Sequence, residues 1–135
     1  MWPVIVPLAL VATGALALSK IAKTKRAHGP LAHLAGSEWS PENNSAQFIA
    51  FKQGGELAGF GGCNNIFGNY VEDGQRLTIG SLAMTKKLCP DVMEAERAFI
   101  QILERAHSFK ATHLRLVITD ADEKTLLALK RRDWD

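Results

Sequence analysis

Gln47-Phe-Ile-Ala-Phe-Lys-Gln-Gly-Gly-Glu-Leu-Ala-Gly-Phe-Gly-Gly-Cys-Asn-Asn-Ile-Phe-Gly-Asn-Tyr70 is the stretch from which the fold is read. Gln47 to Lys52 is rich in β-formers, Gln53-Gly54-Gly55 is turn chemistry, and Glu56 to Phe60 runs back, which predicts a hairpin. Gly59, Gly61 and Gly62 then crowd the approach to Cys63-Asn64-Asn65, where glycine permits positive φ and close backbone approach. Downstream, Asn69 to Val71 and Arg76 to Ile79 flank Glu72-Asp73-Gly74, a second hairpin signal. Leu82 to Leu88 reads as a further extended segment.

The period then changes. Pro90-Asp91 opens a helix, because proline is pre-organised for a first turn and a carboxylate suits its positive end. Val92, Ala95, Phe99, Ile102, Leu103 and Ala106 are assigned to one face, with Glu94, Arg97, Gln101, Glu104 and Arg105 opposite. Two strands end the chain, His113 to Thr119 and Lys124 to Arg131, separated by an Asp120–Glu123 turn. A single amphipathic helix beside several antiparallel strands must bury its apolar face on the sheet. The predicted class is therefore α+β, mainly antiparallel β, with a strongly bent sheet or incomplete barrel capped by the helix.

Upstream of this body, Trp2 to Leu18 is an uncharged apolar run succeeded at once by Lys20, Lys23, Lys25 and Arg26. As a helix it would extend roughly 25 Å, close to a hydrocarbon core. Residues 1–22 are read as a membrane anchor or signal segment, 23–35 as a linker broken at Gly29-Pro30, and 36–135 as one domain. Ala15-Leu16-Ala17 would suit a cleavage site, but no basic group precedes the apolar run. The basic flank favours a cytoplasmic side for the domain. Fourteen acidic residues and twelve Lys or Arg lie after residue 30, leaving the domain near −2 and giving it no nucleic-acid footprint.

The segments Gly59-Phe60-Gly61-Gly62-Cys63-Asn64-Asn65 and Leu82-Ala83-Met84-Thr85-Lys86-Lys87-Leu88-Cys89-Pro90 together resemble the META (HslJ-like) domain family. Gly59, Gly61, Gly62, Cys63, Asn64, Thr85 and Cys89 carry the motif. The resemblance covers Leu34 to about Leu129. It implies a mostly antiparallel β fold with one helix and a bacterial envelope location at the inner membrane with a periplasmic domain. It also implies links to heat-shock, stress or antibiotic tolerance, and it carries over no catalytic residue. The chain lacks the lipid-acceptor cysteine of lipoprotein members, and its Trp39–Phe48 segment is short.

Cys63 and Cys89 have three readings: a disulfide, which needs an oxidising compartment, packed thiols, or a nucleophile at Cys63 that would need a base within reach. Asn64, Asn65 and Thr85 are read as pins joining the glycine-rich turn to the Met84–Cys89 segment. Trp39, Phe48, Phe51 and Phe60 are the candidate lining of an apolar cavity. His107 and His113 lack a third convergent ligand, so no metal and no cofactor is expected. No glycine run has a phosphate-cradling spacing. The expectation is a non-enzymatic protein held at the membrane by its N-terminal segment, with an envelope protein or apolar ligand as partner. The alternatives are an apolar-ligand or lipid-binding half-barrel and a thiol-dependent redox sensor or enzyme at Cys63.

Overall fold

The computed structural model describes residues 31–133. The membrane segment assigned to residues 1–22, most of the linker and Trp134 lie outside the described residues. Among the described residues no helix is long and apolar enough to cross a membrane.

The chain forms β1 (Ser37–Pro41), β2 (Phe48–Phe51), β3 (Glu56–Phe60), β4 (Asn65–Asp73), β5 (Arg76–Ile79), β6 (Ala83–Met84), α1 (Met93–Glu104), β7 (Ser108–Ala111), β8 (Arg115–Thr119) and β9 (Thr125–Arg131). All strand pairings are antiparallel. The sheet runs β3-β2-β1-β9-β8-β7-β5-β4, and β4 returns to pair with β3, so the strands form a bent ring. This return depends on the length of β4. Residues 65–69 pair with β3 along one edge, while the other edge takes β5 at residues 70–73 and β6 at Ile66 and Phe67. The thinnest seam lies between β5 and β7, where Arg76 faces Ser108 and two backbone bonds, Leu77 N to His107 O and Phe109 N to Gln75 O, hold the edges.

Alternation along each strand fills the ring. Ile49 and Phe51 of β2, Leu57 of β3, Ile66 and Tyr70 of β4, Leu77 and Ile79 of β5, and Leu116 and Ile118 of β8 are buried with Trp39, Phe109 and Leu129. Each large apolar side chain moved fully out of water is worth about 1.5–3 kcal/mol, so this interior is the principal source of stability. The β2–β3 turn needs glycine because Gly54 and Gly55 have φ of +82° and +83°. At Gly59 a Cβ would lie 2.5 Å from the Phe48 carbonyl oxygen, so the close approach of β2 and β3 also requires glycine there.

Several expected boundaries move. Leu31 and Leu34, assigned to the linker, belong to the folded body. Leu34 is fully buried and its N–H donates to Glu72 Oε1, while Leu31 donates to the Ala111 carbonyl. β1 and β7 are additional strands, because each is hydrogen-bonded on both edges, by the strand that follows it and by one distant in sequence, β9 for β1 and β5 for β7. The Leu82–Leu88 segment is strand only at Ala83–Met84. The helix starts at Met93 rather than Asp91, with the Cys89 carbonyl accepting from Val92 N and Met93 N.

The helical face is also rotated. Glu96, Phe99 and Leu103 are its buried residues, while Ala95, placed on the apolar face from sequence, is exposed. Spacings of three and four along 96, 99 and 103 give a stripe pointing into the ring, with a carboxylate in it.

Candidate functional site

The motif residues converge on that carboxylate. Glu96 is 1 % exposed and receives three hydrogen bonds from the glycine-rich turn. Cys63 N donates to Oε2 at 2.9 Å, Asn64 N to Oε2 at 2.6 Å, and Asn64 Nδ2 to Oε1 at 2.8 Å. Burial alone would raise its pKa, but the Asn64 side-chain bond and the two backbone N–H groups outweigh burial and hold it below the ordinary carboxylate value. Glu96 is therefore an ionised clasp whose acceptor capacity is largely spent inside the protein.

Asn64 is the hub, because its side chain uses all four of its hydrogen-bonding valences. Nδ2 donates to Glu96 Oε1 and to the Lys87 carbonyl at 3.1 Å. Oδ1 accepts from Thr85 Oγ1 at 2.8 Å and from Lys87 N at 2.6 Å. Thr85 Oγ1 in turn accepts from Asn65 N at 3.1 Å. Cys63 and Cys89 form a disulfide across the same junction. Gln47 Nε2 ties the turn to the helix by donating to the Gly61 and Ala95 carbonyls. No buried side-chain nitrogen or oxygen among the described residues lacks a partner.

Glycine is what lets the carboxylate in. A Cβ at Gly61 would overlap Glu96 Cγ and sit 2.7 Å from its Oε2, while Gly62 holds φ at +112° to turn the two N–H groups inward. Gly61→Ala is expected to cost about 1–3 kcal/mol by overpacking. Urea unfolding followed by circular dichroism checks this, and an unchanged midpoint would remove Gly61 from the clasp.

The other candidates are dispersed. Trp39 and Phe51 are fully packed in the ring interior, Trp39 donating from Nε1 to Ser37 Oγ. Phe48 and Phe60 pair across β2 and β3 on the outer side, with ring centroids 6.5 Å apart, and the Arg132 guanidinium lies 4.1 Å over Phe48. The four do not line a common cavity, because strand alternation sends positions 48 and 60 opposite to position 51. Cys63 offers no thiolate, since its sulfur is bonded to Cys89. His107 and His113 lie at opposite ends of β7, and the described residues contain no group of three His, Cys, Asp or Glu that could hold a metal ion. A hollow of about 140 Å³ between β6 and α1 is lined by Met84, Met93, Arg97, Ile100 and Gln101 and reaches the side of Glu96.

Glu96, Gln47 and the Lys87 peptide are the participants that motif reading passes over. The available signal is the spacing of Val92, Glu96, Phe99 and Leu103, which places an acid in the apolar stripe.

Three solved structures share this fold. One is the NMR structure of a protein from Burkholderia xenovorans, 18 % identical, with a TM-score of 0.60 over 75 % of this chain and 85 % of that one. Another is the crystal structure of a DUF4847 family protein from Bacteroides vulgatus, 22 % identical, with a TM-score of 0.55 over 67 % of this chain and 62 % of that one. A third, an NMR structure, is 22 % identical with a TM-score of 0.53 over 72 % and 90 % of the two chains. At these identities the likeness is one of fold. No curated protein matches the chain. The META domain family matches residues 28–133, a span that holds the glycine-rich turn, the cystine, Thr85 and the Glu96 helix. On that match the chain belongs to the META domain family.

Proposed function

We propose that this is a non-enzymatic META-domain protein of the bacterial cell envelope, tethered to the inner membrane by residues 1–22, with the domain in the periplasm. Its contribution is to envelope or stress tolerance, through binding a partner. The observation that carries the reading is the use to which the motif is put. Glu96, Asn64 and Cys63, the chemically most capable side chains of the signature, are consumed in holding the Thr85–Cys89 segment onto the helix. A disulfide there fits an oxidising compartment, and the apolar run Trp2–Leu18 supplies a tether of bilayer length.

The test is made in intact cells expressing the full chain. The protein is expected to float with membranes after an alkaline wash, and its two cysteines are expected to resist alkylation until a reductant is added. Release by the alkaline wash would remove the tether. Cysteines that alkylate without reductant would place the domain on the reducing side.

A further inference from the structure

The outer face of β4 departs from the pattern of an antiparallel sheet, whose solvated side is normally polar. Phe67 and Val71 project from it, 50 % and 64 % exposed, with exposed Asn69 between them, while Ile66 and Tyr70 point into the ring. Phe67 is paired with Ala58 on β3 and with Ala83 on β6, so methyl groups are its cross-strand neighbours on both sides. With Gly68 these small residues leave an open hollow of about 510 Å³ beside the ring. A longer side chain at either alanine would fill it.

Polar side chains surround the same hollow. Asn69 lies opposite Glu56, Ser81 follows the glycine whose N–H donates to the Asn69 carbonyl, and Lys52 completes the rim. None of these four side chains has a hydrogen-bond partner or an ion pair among the described residues. This mixture selects the occupant. The centre of a protein interface is depleted in Lys, Glu and Ser, and here those residues stand around the aromatic ring. One cation and one carboxylate leave the rim without net charge, which gives no pull on anionic lipid or nucleic acid. A pyranose fits both halves of the pattern. Its C–H face is apolar and packs on the negative face of an aromatic ring, and its hydroxyls pair with an amide, a hydroxyl or a carboxylate at the edge. Phe67 and Val71 are four residues apart on one strand, about 13 Å. A short chain of linked sugar rings covers that span with Asn69 beneath its middle. We propose that the outer face of β4 around Phe67 is a glycan site that takes a linked chain of hexopyranoses. It rests on the reading that the domain works in the envelope by binding a partner, and it names that partner's chemistry.

The experiment titrates the full chain, held in a detergent without a sugar head group, with chitotriose and separately with cellotriose. Amide and aromatic NMR shifts report the site. Shifts are expected at Phe67, Asn69 and Glu56, and not at Val117 on the far side of the ring. Phe67→Ala is expected to weaken binding about tenfold and Asn69→Ala about fivefold, while Phe67→Trp, which keeps an aromatic face, retains it. All three changes are at outward-facing positions, and an otherwise intact amide spectrum shows that lost binding is not lost fold. Binding of chitotriose alone assigns the site to N-acetylated chains, and binding of both sugars assigns it to hydroxyl recognition. Absence of shifts with both sugars, or undiminished affinity in Phe67→Ala, would overturn the proposal. So would shifts at Phe67 that depend on protein concentration without sugar, which mark a second copy as the occupant. Flotation of the same chain with membranes reports the tether independently. A chain that floats without binding sugar keeps the tether and loses the glycan site, and one that binds sugar but is washed from membranes does the reverse.

Discussion

Glu96→Ala is expected to lower the unfolding free energy by about 4 kcal/mol, because it leaves three buried donors facing each other with no acceptor. Cys63 N, Asn64 N and Asn64 Nδ2 all point at the carboxylate, and each orphaned buried group costs about 1–3 kcal/mol. Glu96→Gln keeps the shape but turns one oxygen into an NH₂, which meets a donor whichever way the amide is flipped. A loss of about 2 kcal/mol is expected for it. The pH dependence separates charge from shape. The folded pKa lies below the ordinary carboxylate value, so the charge contributes stability that is present above that value and is lost as pH falls through the folded pKa. The native protein should therefore lose stability on acidification below about pH 4.3. In Glu96→Gln the decline should be shallower, with Asp120 and Asp133, whose pKa values are also lowered, accounting for what remains. Urea midpoints measured across the acid range decide this, and parallel slopes for native protein and Glu96→Gln would refute an ionised clasp.

Replacing the disulfide has a comparable effect by a different route. Cys63 and Cys89 are 26 residues apart, and closing a loop of that length lowers the entropy of the unfolded chain by the equivalent of about 3.5 kcal/mol. A small domain has about 5–15 kcal/mol in all. Cys63→Ala/Cys89→Ala should accordingly lower Tm by about 15 °C or more. The loss should be uneven along the chain. β7, β8 and β9 pair with one another outside the closed loop, whereas Thr85 and Lys87 depend on Asn64 and on that loop. Amide exchange should accelerate first at Thr85 and Lys87. Because Asn64→Ala frees the same segment, combining it with the cysteine variant should cost less than the sum of the separate losses. Strict additivity, or exchange that rises uniformly over the whole sheet, would mean that cystine and Asn64 act independently.

Much of this architecture is visible in local patterns. The β2–β3 hairpin is legible because alternation and Gln53-Gly54-Gly55 act over a few residues, and the same holds for β5, β8, β9 and the existence of one helix. The motif positions are also legible, as is the expectation that Asn64 and Thr85 join the two segments. Other features depend on residues that meet only when the chain is folded. β1 and β7 are short and weakly patterned, and they become strands because a neighbour on each edge satisfies their backbone groups. Ring closure requires β4 to serve β3 and β5 on opposite edges, a relation that no single window of sequence contains. Leu34 looks like linker until its N–H meets Glu72, 38 residues away. The rotation of α1 is the clearest case. Side-chain polarity assigns Ala95 to the interior, yet Ala95 is exposed and Glu96, which that reading places on neither face, is inside, because a buried carboxylate becomes favourable once three N–H donors converge on it. Those donors come from residues 32 and 33 positions earlier in the chain. Short-range periodicity thus suffices to name the elements, whereas burial of charge is settled by partners that three-dimensional packing alone brings within hydrogen-bonding distance.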